Sequence, residues 1–389
     1  MPGLNLRVTA IDLPPIMAAH AWAARYDGRH GPAIDLCQAV PGYAPHPDLL
    51  AHAAVAASDP AMAKYGPIAG DLALRSAYAG TLSGVSPDQV AITAGCNQAF
   101  FVTLLTIASA GDSILLPTPW FWNHQQSCDM LGITPRPLPC DAEHGFVPSV
   151  MDAERLIDST TRAIVLISPN NPTGAVSPPE TIAAFAALCR DRGIWLILDE
   201  TYRDFLPAGQ DRAHALFDDP NWDGHIIGLY SFSKAYCVPG FRLGAVTTSP
   251  AMVGHLTKAL DSLHICPNRV AQSAVAWGIR ALSDWRTANR DLINERANHL
   301  RQAFASVPEW PVASLGAYFA YVRHPYRGTS SAAVAEHLTA ELGAICLPGS
   351  AFGPGQEDFV RVAFANAGAA ALDELAGRLR KELTLRCVA

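Results

Sequence analysis

Apolar residues in this chain gather in short unbroken runs, and the stretches between the runs read as helical. Val90–Thr93, Ser113–Leu116, Ile133–Leu138, Ala163–Ile167, Ile194–Leu198, Ile226–Tyr230 and Leu243–Val246 are the runs. Runs this short and continuous read as strands buried on both faces. Between them, Asn97–Ser109, Phe121–Leu131 and about Pro179–Asp191 read as helices. Strands alternating with helices predict a mostly parallel sheet covered on both sides. Ligands bind such sheets at the carboxyl ends of the strands.

The pattern changes after Ser249. Helical runs follow (Ala251–Leu263, Asn268–Leu282, Asp284–Ser306), then strand-like Val312–Leu315 and Tyr318–Val322. Ala332–Leu342 reads as a helix, Phe359–Ala363 as a last strand and Ala369–Leu385 as a last helix. Ahead of the core, residues up to about Pro47 are irregular, with a short helix near Pro15–Tyr26 and a Pro/Gly-rich turn over Val40–Pro47. No repeat, low-complexity tract or Gly/Ser linker marks a boundary, so domains must follow topology. The expectation is an α/β fold. A large domain over 48–282 carries a mostly parallel sheet of the seven-stranded type, covered by helices. A smaller α+β domain comes from the N-terminal arm, 1–47, and the C-terminal part, 283–389.

Composition narrows the function. The 389 residues are half hydrophobic, enough for a sizeable core, and the net charge of −7 speaks against nucleic-acid binding. The first residues lack a signal-peptide profile, and no apolar run reaches the ~18–20 residues of a membrane helix. Nine cysteines, with no close pairing pattern, read as reduced thiols. Cys189 and Cys346 read as small core hydrophobes, and no metal site is expected. A soluble cytoplasmic protein is the expectation.

The chemistry centres on Ser231–Gly244. Lys234 sits just past the run Ile226–Tyr230, where apolar walls would desolvate its amine, lower its pKa and free it as a nucleophile. Ser231, Ser233, Gly240 and Arg242 at fixed offsets read as a phosphate clamp beside a Schiff-base lysine, the layout of pyridoxal phosphate enzymes. Other segments are weaker alone. Thr93–Asn97 is either a phosphate-binding strand-to-helix turn or an ordinary one. Among Pro117–His124, one of three aromatics could stack on a flat ring, or all could fill an interface. Ser168–Gly174 builds a rigid turn that presents an amide. Asp199, closing the run Ile194–Leu198, needs either a cationic partner or a turn to cap. Arg361, inside Phe359–Ala363, pairs with a protein carboxylate or a substrate's. These segments occur in one order on one chain, the N-terminal ones each just after a run.

On these motifs (SxSK with an arginine eight residues past the lysine, NNPTG, DExY and the arginine of Phe359–Phe364) the sequence resembles class I/II aminotransferases. These belong to the aspartate aminotransferase superfamily, fold type I of the pyridoxal phosphate enzymes, and the resemblance runs from about residue 30 to 380. It implies that Lys234 forms the Schiff base and shuttles the substrate proton. Asp199 would keep the pyridine nitrogen protonated, with His124 supporting it from behind. Tyr202 and Asn171 would bond the ring's phenolic oxygen, and Phe121 would stack on the ring. Gly95, Cys96, Ser231, Ser233 and Arg242 would bind the phosphate. Arg361, with Asn171 and Ala39 beside it, would hold the substrate. Tyr65 matches a tyrosine that reaches the neighbouring subunit's phosphate, which implies an obligate homodimer with shared sites.

There are departures from the family pattern. Ala39 stands where many relatives carry glycine, and Cys96 offers no hydroxyl. Leu256–Cys266 lacks the arginine of aspartate-specific members. Tyr43, Trp120 and Trp122 point instead to an apolar or aromatic side chain. The leading expectation is amino exchange between an L-amino acid and a 2-oxo acid. A pyridoxal phosphate lyase or decarboxylase would use the same residues. A non-catalytic sensor domain has no room ahead of the fold for its DNA-binding module.

Overall fold

The computed structural model describes residues 2–386. Residue 1 and residues 387–389, the extremities of the expected small domain, lie outside the described residues. In chain order the strands are β1 (Ile34–Asp35), β2 (Val90–Thr93), β3 (Ser113–Thr118), β4 (Thr134–Pro139), β5 (Thr161–Ile167), β6 (Trp195–Asp199) and β7 (Ile226–Ser231). They continue with β8 (Gly244–Thr247), β9 (Val312–Gly316), β10 (Phe319–Arg323), β11 (Ala344–Ile345), β12 (Leu347–Pro348) and β13 (Phe359–Ala363). The helices are α1 (Leu6–Thr9), α2 (Pro15–Ala23), α3 (Pro47–Ser58), α4 (Leu72–Ala79), α5 (Cys96–Ile107), α6 (Trp122–Leu131) and α7 (Val150–Leu156). After them come α8 (Pro179–Arg192), α9 (Phe232–Ala235), α10 (Pro250–His264), α11 (Arg269–Ala281), α12 (Ser283–Phe304), α13 (Ser331–Ala340) and α14 (Ala369–Arg386).

All seven expected runs join one sheet, in the order β2-β8-β7-β6-β5-β3-β4. Their continuity follows from alternation between two dry faces. Ile114, Leu116, Val165 and Ile197 face the packing of α5 and α10, while Leu115, Ile164, Leu166, Leu196 and Leu198 face α8. On that second side, Val90, Ile92 and Ala245 meet Leu49, Leu74 and Val275 of α3, α4 and α11. β4, with Pro135, Pro137 and Pro139, pairs only with β3 and sits at the sheet's edge, where missing N–H groups disturb no second ladder.

β8 is the exception to the parallel arrangement: it runs antiparallel to both β2 and β7. Its first residue therefore lies at the edge where its neighbours end, which brings Arg242 to the same rim as the ends of β2, β6 and β7. The second sheet, β12-β13-β10-β9, is antiparallel. Phe319, Val360, Val362 and Ala363 from it share a core with Leu300, Leu338 and Leu375 of α12, α13 and α14. The N-terminal arm joins this part through β1, which pairs in parallel with β11 (Ile34 with Ala344). No helix among the described residues is long and apolar enough to cross a membrane.

Candidate active site

β7 ends at Ser231, whose hydroxyl caps α9 by accepting the Ser233 N–H at 3.3 Å. That single helical turn carries Lys234, whose Nζ donates to the Ala39 carbonyl. Burial pushes the Lys234 pKa down to about 8, and the like charges of Arg361 and Arg242 push the same way. The amine is thus free of its proton in a sizeable fraction at neutral to mildly basic pH.

Asp199 closes β6, the next strand. The Thr201 N–H donates to its Oδ1 at 3.0 Å, and the Cys96 thiol lies 3.7 Å from the same oxygen. His124 Nε2 stands 3.3 Å from Oδ2, and its ring is stacked on Phe100 at 3.9 Å. Burial would raise the carboxyl's pKa, but His124 and Thr201 outweigh it and hold the group below its ordinary value. Asp199 is therefore a buried anion. Its neighbour Glu200 serves other partners, His214 at 3.2 Å and Arg203 at 3.8 Å.

Gly95 precedes α5 with φ of +88°, a conformation that favours glycine, and a Cβ there would lie 2.1 Å from Arg242 Nη2. The Arg242 guanidinium, anchored on the Pro239 carbonyl at 3.0 Å, thus stands against the start of α5. The helix's first N–H groups have no intrahelical acceptor, so this corner joins a full positive charge to free donors.

Arg361 lies mid-way along β13, opposite Tyr321 of β10, and is 1 % exposed. Its guanidinium sits 5.1–5.5 Å from the ring centres of Phe319, Phe352 and Trp122. It donates to Asn171 Oδ1 at 3.0 Å and to the Cys37 carbonyl, while Nε has no partner among the described residues. Burial pushes its pKa down to about 10. The turn that presents Asn171 is locked by Asn170, whose Oδ1 accepts from the Thr173 N–H at 3.1 Å and its hydroxyl at 2.9 Å.

One cleft of about 440 Å³ collects these groups. Ala39, Cys96, Phe121, Asn171, Asp199, Tyr202, Ser231, Ser233, Lys234, Arg242 and Arg361 all line it. His124 stands behind the wall, bonded to Asp199. Gly95 lies beneath Arg242.

Comparison with known proteins places the whole chain in a family. The chain matches the family described as aminotransferase class I and II over residues 31–379. It is 28 % identical to the aromatic aminotransferase ISS1 of Arabidopsis thaliana, over 97 % of this chain and 95 % of that one. It is also 28 % identical to an aspartate aminotransferase of Pyrococcus abyssi, over 84 % and 86 %. The solved aromatic aminotransferase of Pyrococcus horikoshii OT3 superposes with a TM-score of 0.84 at 26 % identity, covering 92 % of this chain and 97 % of that one. This chain belongs to the class I and II aminotransferase family.

Pyridoxal phosphate, on which that family depends, fits the aminotransferase cleft on three observations. A buried anion, Asp199, is bonded to the His124 ring, the Thr201 N–H and the Cys96 thiol, with no lysine or arginine among those partners. The Arg242 guanidinium stands against the start of α5, with Ser231 and Ser233 on the same lining, a donor set suited to an anion. An amine with lowered pKa lines the same cavity, whose volume suits a cofactor and a small substrate.

Three sequence expectations lie outside the cleft. Tyr65 is 79 % exposed, on the segment that Arg269 ties down through the Ala61 carbonyl, and it does not line this chain's own cavity. Trp120 does not line the cleft: its backbone N–H donates to the Phe352 carbonyl at 2.8 Å, and its ring packs beneath Gly353 in the core. Tyr43 packs edge-on against Trp285 at 5.7 Å, away from the lining. Conversely, Ile16, Asn97, Asn123 and Thr201 line the cleft without any one of them having been given a role from the sequence. Thr201 lies between Asp199 and Tyr202 and was readable from that spacing. Ile16 comes from the arm, over a distance that no local pattern records.

Proposed function

We propose that Lys234, Asp199 and Tyr202 carry the amino-group exchange of this aminotransferase, with Arg361 as the anchor for the substrate's α-carboxylate. The observation that carries this reading is the convergence of a low-pKa amine, a buried carboxylate and a buried guanidinium on one cleft. When bound, pyridoxal phosphate supplies a carbonyl for the amino group and a cationic ring that draws electrons from Cα. Asp199 would hold the proton on the ring nitrogen, since a carboxylate kept ionised by His124 and Thr201 favours a cation beside it. Tyr202 and Asn171 would donate to the ring oxygen, and Phe121 would cover one ring face. Arg242, Ser231, Ser233 and the backbone at Gly95 and Cys96 would hold the phosphate. Lys234, once its amine is free, would take the Cα proton and return it at the far end of the transferred system.

The Nε of Arg361 and its apolar surround suit a two-pronged grip on a carboxylate, which would replace the Asn171 and Cys37 oxygens that it now holds. The cationic groups of the lining are Lys234, Arg242 and Arg361. Among the described residues of this chain's lining no guanidinium is left for a second substrate carboxylate, while Ile16, Val40 and Trp122 offer apolar surface. An apolar or aromatic amino acid is the proposed donor, and a homodimer in the cytoplasm, with Tyr65 completing the neighbour's phosphate site, the proposed form.

A screen of amino acids against 2-oxoglutarate and pyruvate, read by formation of the new amino acid, tests this. Phenylalanine or leucine should exceed aspartate by at least about tenfold in kcat/KM, the size of one good pocket contact. Lys234→Ala should abolish turnover and the yellow colour of the holoprotein; activity retained in that variant would remove the assignment.

A further inference from the structure

The N-terminal arm carries a second group of chemically capable side chains, one helical turn from the cleft. On α2, Ile16 reaches the cleft, and His20, four residues on, lies on the same side of the helix. The His20 imidazole, the Asp35 carboxylate and the Cys37 thiol there each bring a ligand atom within 4.8 Å of the others. Cys37 is fully buried, and its N–H fixes the Asp35 Oδ1 at 3.0 Å. Asp35 ends β1, paired with Ile345 of β11, and Cys37 follows two residues on, just past Leu36, whose N–H donates to the Ile345 carbonyl at 2.8 Å. His20 comes from a different element, so the trio bridges the helix and the strand.

We propose that His20, Asp35 and Cys37 form a zinc site that pins α2 to β1. Sulfur, imidazole nitrogen and carboxylate oxygen together suit Zn²⁺ rather than Ca²⁺ or Mg²⁺, which take oxygen ligands. Bonds of about 2.0–2.3 Å put tetrahedral ligand atoms roughly 3.3–3.7 Å apart, so small rotations of the exposed His20 and Asp35 side chains close the shell. Water takes the fourth position, and the thiol proton leaves to solvent. The pinned strip is one that the cleft uses: the Cys37 carbonyl accepts from Arg361 and the Ala39 carbonyl from Lys234. Zinc therefore rigidifies the arm where it borders the cleft.

The test uses chelator-stripped holoprotein with zinc sulfate alone, without amino acid. Metal content and competition with a chromophoric chelator give stoichiometry and affinity, and hydrogen exchange follows residues 15–23. One zinc per chain is expected. His20→Ala and Asp35→Asn should each weaken binding at least tenfold, and zinc should slow exchange over α2 in the wild type only. No zinc retained, or equal affinity in the variants, overturns the site, because the metal is then absent or elsewhere. Cys37→Ser adds a third arm, and the two exposed positions decide the outcome if that variant does not fold.

Discussion

The chemistry of Lys234 follows from where its amine ends up. The ammonium form is penalised by burial and by two guanidinium groups, so its proton leaves near pH 8. The reactive species is the neutral amine, so the rate of cofactor attachment to apoprotein should climb with pH up to about 8 and level off above it. Stopped-flow absorbance checks this, and Arg361→Leu, which removes the stronger of the two like-charge effects, should move the break to higher pH. A flat profile from pH 6 to 9 would contradict a desolvated amine. For Asp199, the charge rather than the shape is at stake. Asp199→Asn keeps an acceptor for the Thr201 N–H but removes the partner of the ring cation. Leaving a buried charge unpaired costs about 3–5 kcal/mol, roughly 10²–10⁴-fold in kcat/KM with the cofactor still bound.

At the scale of elements, the cofactor corner depends on three chain segments arriving at one rim. β2 and β7 end there because they run parallel, and Arg242 arrives because β8 runs the other way. Gly95 lets the turn after β2 pass close to the guanidinium. Gly95→Ala places a side chain at φ of +88°, at about 1–2 kcal/mol of strain, and moves Arg242 off the start of α5. Cofactor affinity, measured by absorbance titration, should fall about tenfold or more, since 1.4 kcal/mol is a factor of ten. Unfolding by urea should shift by no more than the strain itself. An unchanged affinity would mean that the backbone at this turn does not hold the phosphate.

At the scale of the molecule, the proposed homodimer would give the exposed Tyr65 a surface to pack against. Tyr65, at 79 % exposure, has none within its own chain's cleft. Sedimentation should give twice the 41.4 kDa chain mass. Tyr65→Phe should weaken cofactor binding while leaving that mass unchanged. A monomer of full activity would remove the shared-site proposal.

Much of this was written along the chain. The continuous apolar runs determined the seven strands, because a strand dry on both faces shows no alternation. Lys234, Asp199 and Asn171 were legible because each directly follows such a run, at the sheet edge where parallel strands leave their ligands. Other parts were decided only when the chain folded. Local pattern carries no strand direction, so the reversal of β8 was invisible. α3 and α4 went unread because their apolar stripes gain meaning only against α11. Trp120 and Trp122 are two residues apart, yet one packs in the core and the other beside Arg361. Long-range packing assigned those places, and spacing could not: a sequence states which side chains are near in the chain, while burial depends on what arrives from elsewhere.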